Sequence, residues 1–189
     1  MRIIGGEARG RQIRLPRGCR IRPTADRVKE SLFNILRPLE GASFLDMFAG
    51  CGNCGLEALS RGAGRAVFIE KEPRLADAIR ENLRLLGFED RAEVIAADAE
   101  QGVRRLAKRA ERFEILFADP PYDEGFLPEI MKWLEGADLL ADNGLIVLQH
   151  SVREALEGSF MRAMAVADQR RYGDTMLSFL KKHAEAENP

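Results

Sequence analysis

The chain has 189 residues, 46% of them hydrophobic and 31% charged, which suits one globular domain with a sizeable core and excludes a disordered or collagen-like polymer. No apolar run approaches the roughly 18 to 20 residues that cross a bilayer, and the opening Met1-Arg2-Ile3-Ile4-Gly5-Gly6 has no apolar signal core, so a cytoplasmic protein without a membrane segment is expected. Net charge is −1, yet residues 1–37 hold ten basic side chains against three acidic ones, leaving +7 at the start and −8 in the rest; such an Arg-rich end suits either a surface that docks a polyanion or a solvated basic hairpin.

In chain order, residues 1–23 carry Gly5, Gly6, Gly10, Pro16, Gly18 and Pro23 between short alternating pieces such as Arg11-Gln12-Ile13-Arg14-Leu15, the pattern of a small hairpin appendage. Thr24 is placed to cap a helix whose inward face is Val28, Leu32 and Ile35 or Leu36. Short apolar runs then alternate with amphipathic stretches. Strands are predicted at 43–47, 65–70, 92–97, 114–118 and 144–149, weaker ones near 163–169 and 175–180, and helices at 54–61, 73–86, 100–109 and 126–134. The first five strands are almost wholly apolar, as strands covered by helices on both faces are, which predicts a doubly wound, mostly parallel α/β sheet. Three parts are expected: a basic hairpin extension at 1–23, the main domain at 24–180 and a frayed polar tail at 181–189.

Between the first strand and its helix, Gly50, Gly52 and Gly55 match G-x-G-x-x-G, a loop that turns sharply, approaches a ligand and lets the helix pack tightly on the sheet. Glu70 ends the next strand 20 residues after Gly50, where it can accept from ribose hydroxyls. A nicotinamide dinucleotide and S-adenosylmethionine both fit that much. Asp46, just before the loop, is awkward beside a pyrophosphate and suits the ammonium of a methionine moiety, and Asp98, ending the third strand, can accept from an adenine amine. Three acidic strand ends favour the sulfonium cofactor, although helix capping is the plain alternative for Asp46 and Asp98. Cys51 and Cys54 have redox or zinc half-site spacing, but Cys19, His150 and His183 make a poor remaining ligand set, so no metal is expected; in a tight glycine turn the two cysteines read as small side chains.

The most specific signal is Asp119-Pro120-Pro121-Tyr122 after the fourth strand. The lone pair of a base's exocyclic amine is delocalised into the ring, so the nitrogen is a weak nucleophile. The Asp119 carboxylate and Pro120 carbonyl can accept its two N–H bonds and free that lone pair, the prolines fix the direction of the carbonyl, and Tyr122 offers a stacking face. An ordinary turn is the competing reading, weakened by the position at the carboxyl end of a central parallel strand. His150 reads as structural rather than as a general base, and Trp133, with Ile130 and Leu134, as core.

Several segments together resemble one family: Arg2-Ile3-Ile4-Gly5-Gly6, Arg9-Gly10-Arg11, Arg22-Pro23-Thr24, Asp26-Arg27-Val28, Phe33-Asn34, Phe48-Ala49-Gly50, Gly55 to Ala63, Asp119 to Tyr122 and Tyr172-Gly173-Asp174-Thr175. They run in the order of the RsmD-type methyltransferases, which modify the N2 amine of a guanine in 16S ribosomal RNA. The resemblance implies a class I S-adenosylmethionine-dependent methyltransferase, Rossmann-like with a mostly parallel seven-stranded sheet and an N-terminal β-hairpin extension. It implies S-adenosylmethionine as cofactor and 16S ribosomal RNA or the assembling small ribosomal subunit as partner; a monomer is expected. It suggests Asp46, Ala49 and Gly50 near the methionine part, Glu70 at the ribose, Asp98 and Ala99 at the adenine, and Asp119, Pro120, Pro121 and Tyr122 at the target base. Arg22 and Thr24 would border the cofactor opening, and Phe48, Gly52 and Lys71 complete the cofactor set. Arg9, Arg11, Arg14, Arg22 and Arg27 are the RNA-binding candidates. Cys51, Cys54 and Gln149 depart from the family, which usually has Ser, an aliphatic residue and Glu there. Two other readings stand beside this one, a nucleic-acid adenine-N6 or cytosine-N4 methyltransferase, for which a separate DNA-recognition domain would lack room, and a non-catalytic RNA-binding relative.

Overall fold

Five apolar runs pair side by side in the computed structural model, which describes residues 1–16, 26–36, 38–156 and 164–183. The elements are α1 (Asp26–Ile35), β1 (Ser43–Asp46), α2 (Asn53–Ser60), β2 (Arg65–Glu70), α3 (Pro73–Leu86), a 3-10 turn (Glu89–Arg91), β3 (Ala92–Ala96), α4 (Ala99–Lys108), β4 (Phe113–Ala118), α5 (Phe126–Ala137), β5 (Leu140–Ser151), β6 (Met164–Tyr172) and β7 (Thr175–Lys182). Among the described residues the sheet has seven strands in the order β3-β2-β1-β4-β5-β7-β6, with β1 to β5 parallel and β7 antiparallel to both its neighbours.

Alternation along the strands splits the core in two. Phe44, Phe68 and Phe117 face α1, α2 and α3, while Leu45, Val67 and Leu116 face α4 and α5. Phe33 of α1, Phe44 and Phe117 stack with ring centres 6.2 and 6.3 Å apart. The helices start and stop on local signals. Glu72 caps α3 ahead of Pro73, and Gly87, at φ 75°, ends it.

Residues 1–16 form an antiparallel turn, with a bridge between Arg2 and Gln12, but they are no free-standing appendage. Ile3, Ala8 and Ile13 are buried in the core layer of α2 and α3. The Glu7 amide donates to Ser60 O at 2.7 Å, the Ala8 amide to Ser60 Oγ at 3.0 Å, and Arg14 and Asn82 exchange two bonds of 2.9 Å. Residues 17–23 and the cap Thr24 lie outside the described residues, as does Cys19. Val28 and Leu32 of α1 face inward, and of the next two candidates it is Leu36, one residue past the helix, that is buried, while Ile35 stays exposed.

Several boundaries differ from the sequence reading, α5 running on to Ala137 rather than 134 and β6 to Tyr172 rather than 169, and two of the differences have a clear cause. Strand β5 starts at Leu140, because Phe113 pairs with Leu140 before the register shifts to Ile115 beside Leu145; turn-like Ala141-Asp142-Asn143-Gly144 is absorbed as an irregularity within the strand. Lys181 and Lys182 pair with Ala165 and Met164, so the frayed tail does not begin at 181; residues 184–189 lie outside the described residues. No described helix is long and apolar enough to cross a membrane.

Candidate active site

The carboxyl ends of β1, β2, β4 and β5 open into a cleft of about 860 Å³, within the range of small-molecule sites. Asp46, Phe48, Ala49, Gly50, Glu70, Lys71, Asp98, Ala99, Asp119, Pro120, Pro121 and Tyr122 all line it. Ligands bind at this end of open parallel sheets, where the crossovers to either side of β1 leave a crevice.

The loop after β1 is held from both flanks, by Met47 N donating to Phe117 O of β4 and Ala49 N donating to Ile69 O of β2. Gly50, at φ 55°, has nothing within 4 Å of where a Cβ would sit, so the backbone is open to the cleft there. Gly55 does different work, since a Cβ on it would overlap the Phe68 ring, so α2 lies directly on β2. Gly52, at φ 80°, starts α2, and the side where a Cβ would sit faces Ile79.

The acidic strand ends are each engaged. Glu70 accepts from Gly50 N at 2.7 Å and Glu72 N at 2.8 Å, so it buttresses the loop as well as facing the cleft. Asp98 caps α4 by accepting from Gln101 N at 2.9 Å and remains exposed at the cleft rim. Asp46 accepts from Gly55 N at 3.0 Å and is 1% exposed. Burial, helped by the like charges of Asp119 and Glu70, pushes its carboxyl up to about 7 against the pull of the Gly55 hydrogen bond.

Tyr122 stands at the other wall, where Gln149 Nε2 donates to its hydroxyl at 3.1 Å and Thr175 Oγ1 lies 3.4 Å from it. Tyr172, Asp174 and Thr175 bring the turn between β6 and β7 to the same wall, and Ser31 of α1 hydrogen-bonds the Tyr172 hydroxyl. His150, the next residue along β5, turns away: its ring bonds Ser151 O at 2.9 Å and Ser178 Oγ at 2.8 Å, and burial holds its pKa down. Trp133 is half-buried and reaches the cleft, as does Phe126, whose ring meets Phe48 edge-on at 5.8 Å.

A buried ionic group is unforeseen. Lys29, fully buried on α1, donates to Arg2 O and to Asn53 Oδ1, each at 2.7 Å, and pairs with fully buried Glu57 at 3.3 Å; Glu57 also takes Arg61 at 2.7 Å and the Ile4 amide at 2.8 Å. Asn53 lines the cleft at the start of α2, and its Nδ2 is buried without a partner. A charged residue inside the otherwise small and apolar α2 was the one available signal.

The cysteines line the same loop. Burial pushes the Cys51 thiol up to about 11 and the Cys54 thiol well above its ordinary value, the reverse of a reactive thiolate. Of the basic candidates, Arg11 donates to Leu85 O at 2.7 Å and Arg14 pairs with Glu81 at 2.8 Å, and these two, like Arg9 and Arg27, are exposed. Arg9 follows the turn at the far end of α2, about 12 Å of helix from the cleft. Arg22 and Thr24 lie outside the described residues. Among the described residues no group of three or more His, Cys, Asp or Glu side chains is arranged to hold a metal ion.

This strand order, with an antiparallel seventh strand slotted between the fifth and sixth and a glycine loop after the first, defines a class I methyltransferase. Residues 1–181 match the model of the family described as Conserved hypothetical protein 95. The chain is 41% identical over 157 residues to Ribosomal RNA small subunit methyltransferase D of Escherichia coli, covering 82% of this chain and 77% of that one. A solved Thermus thermophilus structure, hypothetical protein TTHA0928, is 33% identical with a TM-score of 0.80, covering 96% of this chain and 99% of that one. SMU.776, solved complexed with SAH, shares the fold alone, at 13% identity and a TM-score of 0.67 over 82% of this chain and 48% of that one. The chain belongs to the Conserved hypothetical protein 95 family, the family of the RsmD-type methyltransferases.

Proposed function

We propose that this chain methylates 16S ribosomal RNA, free or in the assembling small subunit, on the exocyclic N2 amine of a guanine, with S-adenosylmethionine as donor. The observation that carries the reading is the meeting of Asp119-Pro120-Pro121-Tyr122 with the open glycine loop in one cleft; the name of the 41% identical Escherichia coli relative supports the substrate.

The cleft suits the cofactor on its own chemistry. A buried carboxyl whose proton is held up to about 7 by desolvation and two like charges is stabilised as an anion by an incoming ammonium, so Asp46 would hold the amino group of the methionine part. Open space above Gly50 leaves room for the chain of that moiety, Glu70 at the end of β2 would take the ribose hydroxyls, and Asp98 with Ala99 would border the adenine. S-adenosylmethionine supplies an electrophilic methyl group and leaves as the thioether.

The protein's own part is to make the amine nucleophilic. Tyr122 stacks the extruded base, while the Asp119 carboxylate and the Pro120 carbonyl accept its N2 protons and draw the nitrogen towards tetrahedral geometry. Pro121 restricts the backbone of Pro120, so that carbonyl is aimed before substrate arrives. As the N–C bond forms and the S–C bond breaks, the N2 proton passes to the Asp119 carboxylate.

Mass mapping tests this. Purified protein, deuterium-labelled cofactor and small-subunit rRNA or subunits should yield N2-methylguanosine, and label on adenine N6 or cytosine N4 would overturn the assignment. Asp119→Ala should lose more than about tenfold in rate while binding S-adenosylhomocysteine almost as before; a variant that keeps more than about a tenth of the wild-type rate refutes the role of Asp119.

A further inference from the structure

Gln149 sits where β4 and β5 run in step. Ala118 is opposite Leu148, so Gln149 is level with Asp119 on the neighbouring strand, and both line the cleft. On its other side Gln149 pairs with Leu177 of β7, close to the turn that carries Tyr172 and Thr175. The side chain is 4% exposed. Its Nε2 donates to the Tyr122 hydroxyl at 3.1 Å, a hydroxyl that lies 3.4 Å from Thr175 Oγ1, and the amide oxygen is turned the other way. That oxygen, Oε1, is buried and has no hydrogen-bond partner.

A buried acceptor without a donor costs stability unless a ligand supplies one. The chemistry of the bases says which ligand can. In guanine the reacting N2 amine is flanked by N1, which carries a hydrogen. In adenine the N6 amine is flanked by N1, and in cytosine the N4 amine by N3, and both of these ring nitrogens present a lone pair. With the N2 protons taken by Asp119 and Pro120, the group beside them that still needs an acceptor is N1–H. The geometry points to Gln149 as the residue that reads this hydrogen: Oε1 accepts from guanine N1–H, and faces a lone pair if adenine or cytosine is offered. The inference rests on the guanine-N2 reading and deepens it, assigning base selection to β5 rather than to the tetrapeptide, whose two acceptors suit any exocyclic amine. Through Nε2 the same side chain holds Tyr122, so stacking and edge recognition are set by one residue.

The test uses small-subunit rRNA ligated around a synthetic segment that carries either guanine or 2-aminopurine at the nucleotide the wild type methylates. 2-Aminopurine keeps the 2-amine but has a lone pair at N1. Wild-type protein should prefer guanine. Gln149→Leu, which cannot accept, should shrink the guanine to 2-aminopurine rate ratio by about tenfold or more, with S-adenosylhomocysteine affinity unchanged. Gln149→Glu retains an acceptor and should keep the ratio. An unchanged ratio in Gln149→Leu overturns the inference, and so does a lost ratio in Gln149→Glu, which remains decisive if the leucine variant fails to fold. A wild type that leaves guanine N2 unmethylated sinks the underlying reading instead, an outcome visible before any variant is made.

Discussion

Replacing Asp46 by Asn removes a proton equilibrium from the floor of the cleft, and the structure sets the size and the pH window of the effect. Asp46 is 1% exposed and near Asp119 and Glu70, which together with its burial lift its carboxyl from 3.8 to about 7. A folded-state pKa above the unfolded value means that the folded chain holds the proton more tightly. The stability this confers is complete below about pH 4, falls as pH rises, and is gone above about pH 7, where the buried carboxylate is charged. The span from 3.8 to about 7 corresponds to about 4 kcal/mol in the ligand-free protein. Asparagine has a similar shape, keeps an oxygen for the Gly55 amide and carries no charge. Ligand-free Asp46→Asn should therefore be more stable than wild type at pH 8, by up to that amount, and close to wild type at pH 4. Urea unfolding at a series of pH values reads this directly. Calorimetric titration of S-adenosylhomocysteine at pH 8 should show the opposite, with affinity lost in the variant because an ammonium no longer meets a carboxylate. A stability difference independent of pH would refute the account of Asp46 as a group that costs stability until a cation arrives.

Lys29→Met strands the Glu57 carboxylate in the core with Arg61 as its remaining cation and should cost about 3 kcal/mol or more in chemical denaturation, part of it recovered in Lys29→Met with Glu57→Gln. The double variant Cys51→Ser, Cys54→Leu should fold and methylate at close to the wild-type rate, and the wild-type thiols should resist alkylation at pH 8; rapid labelling of the native protein would contradict the burial that raises both thiols.

The parallel half of the sheet was legible because strands covered on both faces leave uninterrupted apolar runs, so the predicted Arg65–Glu70 and Pro73–Leu86 match the structure end for end. The start of β5 was hidden, since Asp142, Asn143 and Gly144 carry the chemistry of a turn and only the pairing with Phe113 keeps them in the strand. At the cleft, Asp46, Glu70, Asp98 and Asp119 were visible because each ends an apolar run. Lys29 and Asn53 were not, because a lysine on an amphipathic helix normally reaches solvent and its burial depends on Glu57, far along the chain. The N-terminal arginines marked charge but not direction: the fold of residues 1–16 sets Arg9 beyond the far end of α2 and Arg11 and Arg14 beside α3, all three exposed.

Strand β6 forms one border of the sheet, and such a border offers a row of unpaired amides and carbonyls to any extended chain. Here it is ill-suited to strand addition. The register shifts between Val166 and Asp168, which twists the border, and Asp168, Arg170 and Arg171 place charges along its outer half. An added strand would have to follow a kinked partner and bring its own side chains against those charges. The same charged border runs up to Tyr172 at the cleft, so the feature that discourages one copy from zipping onto another ends beside the cleft wall.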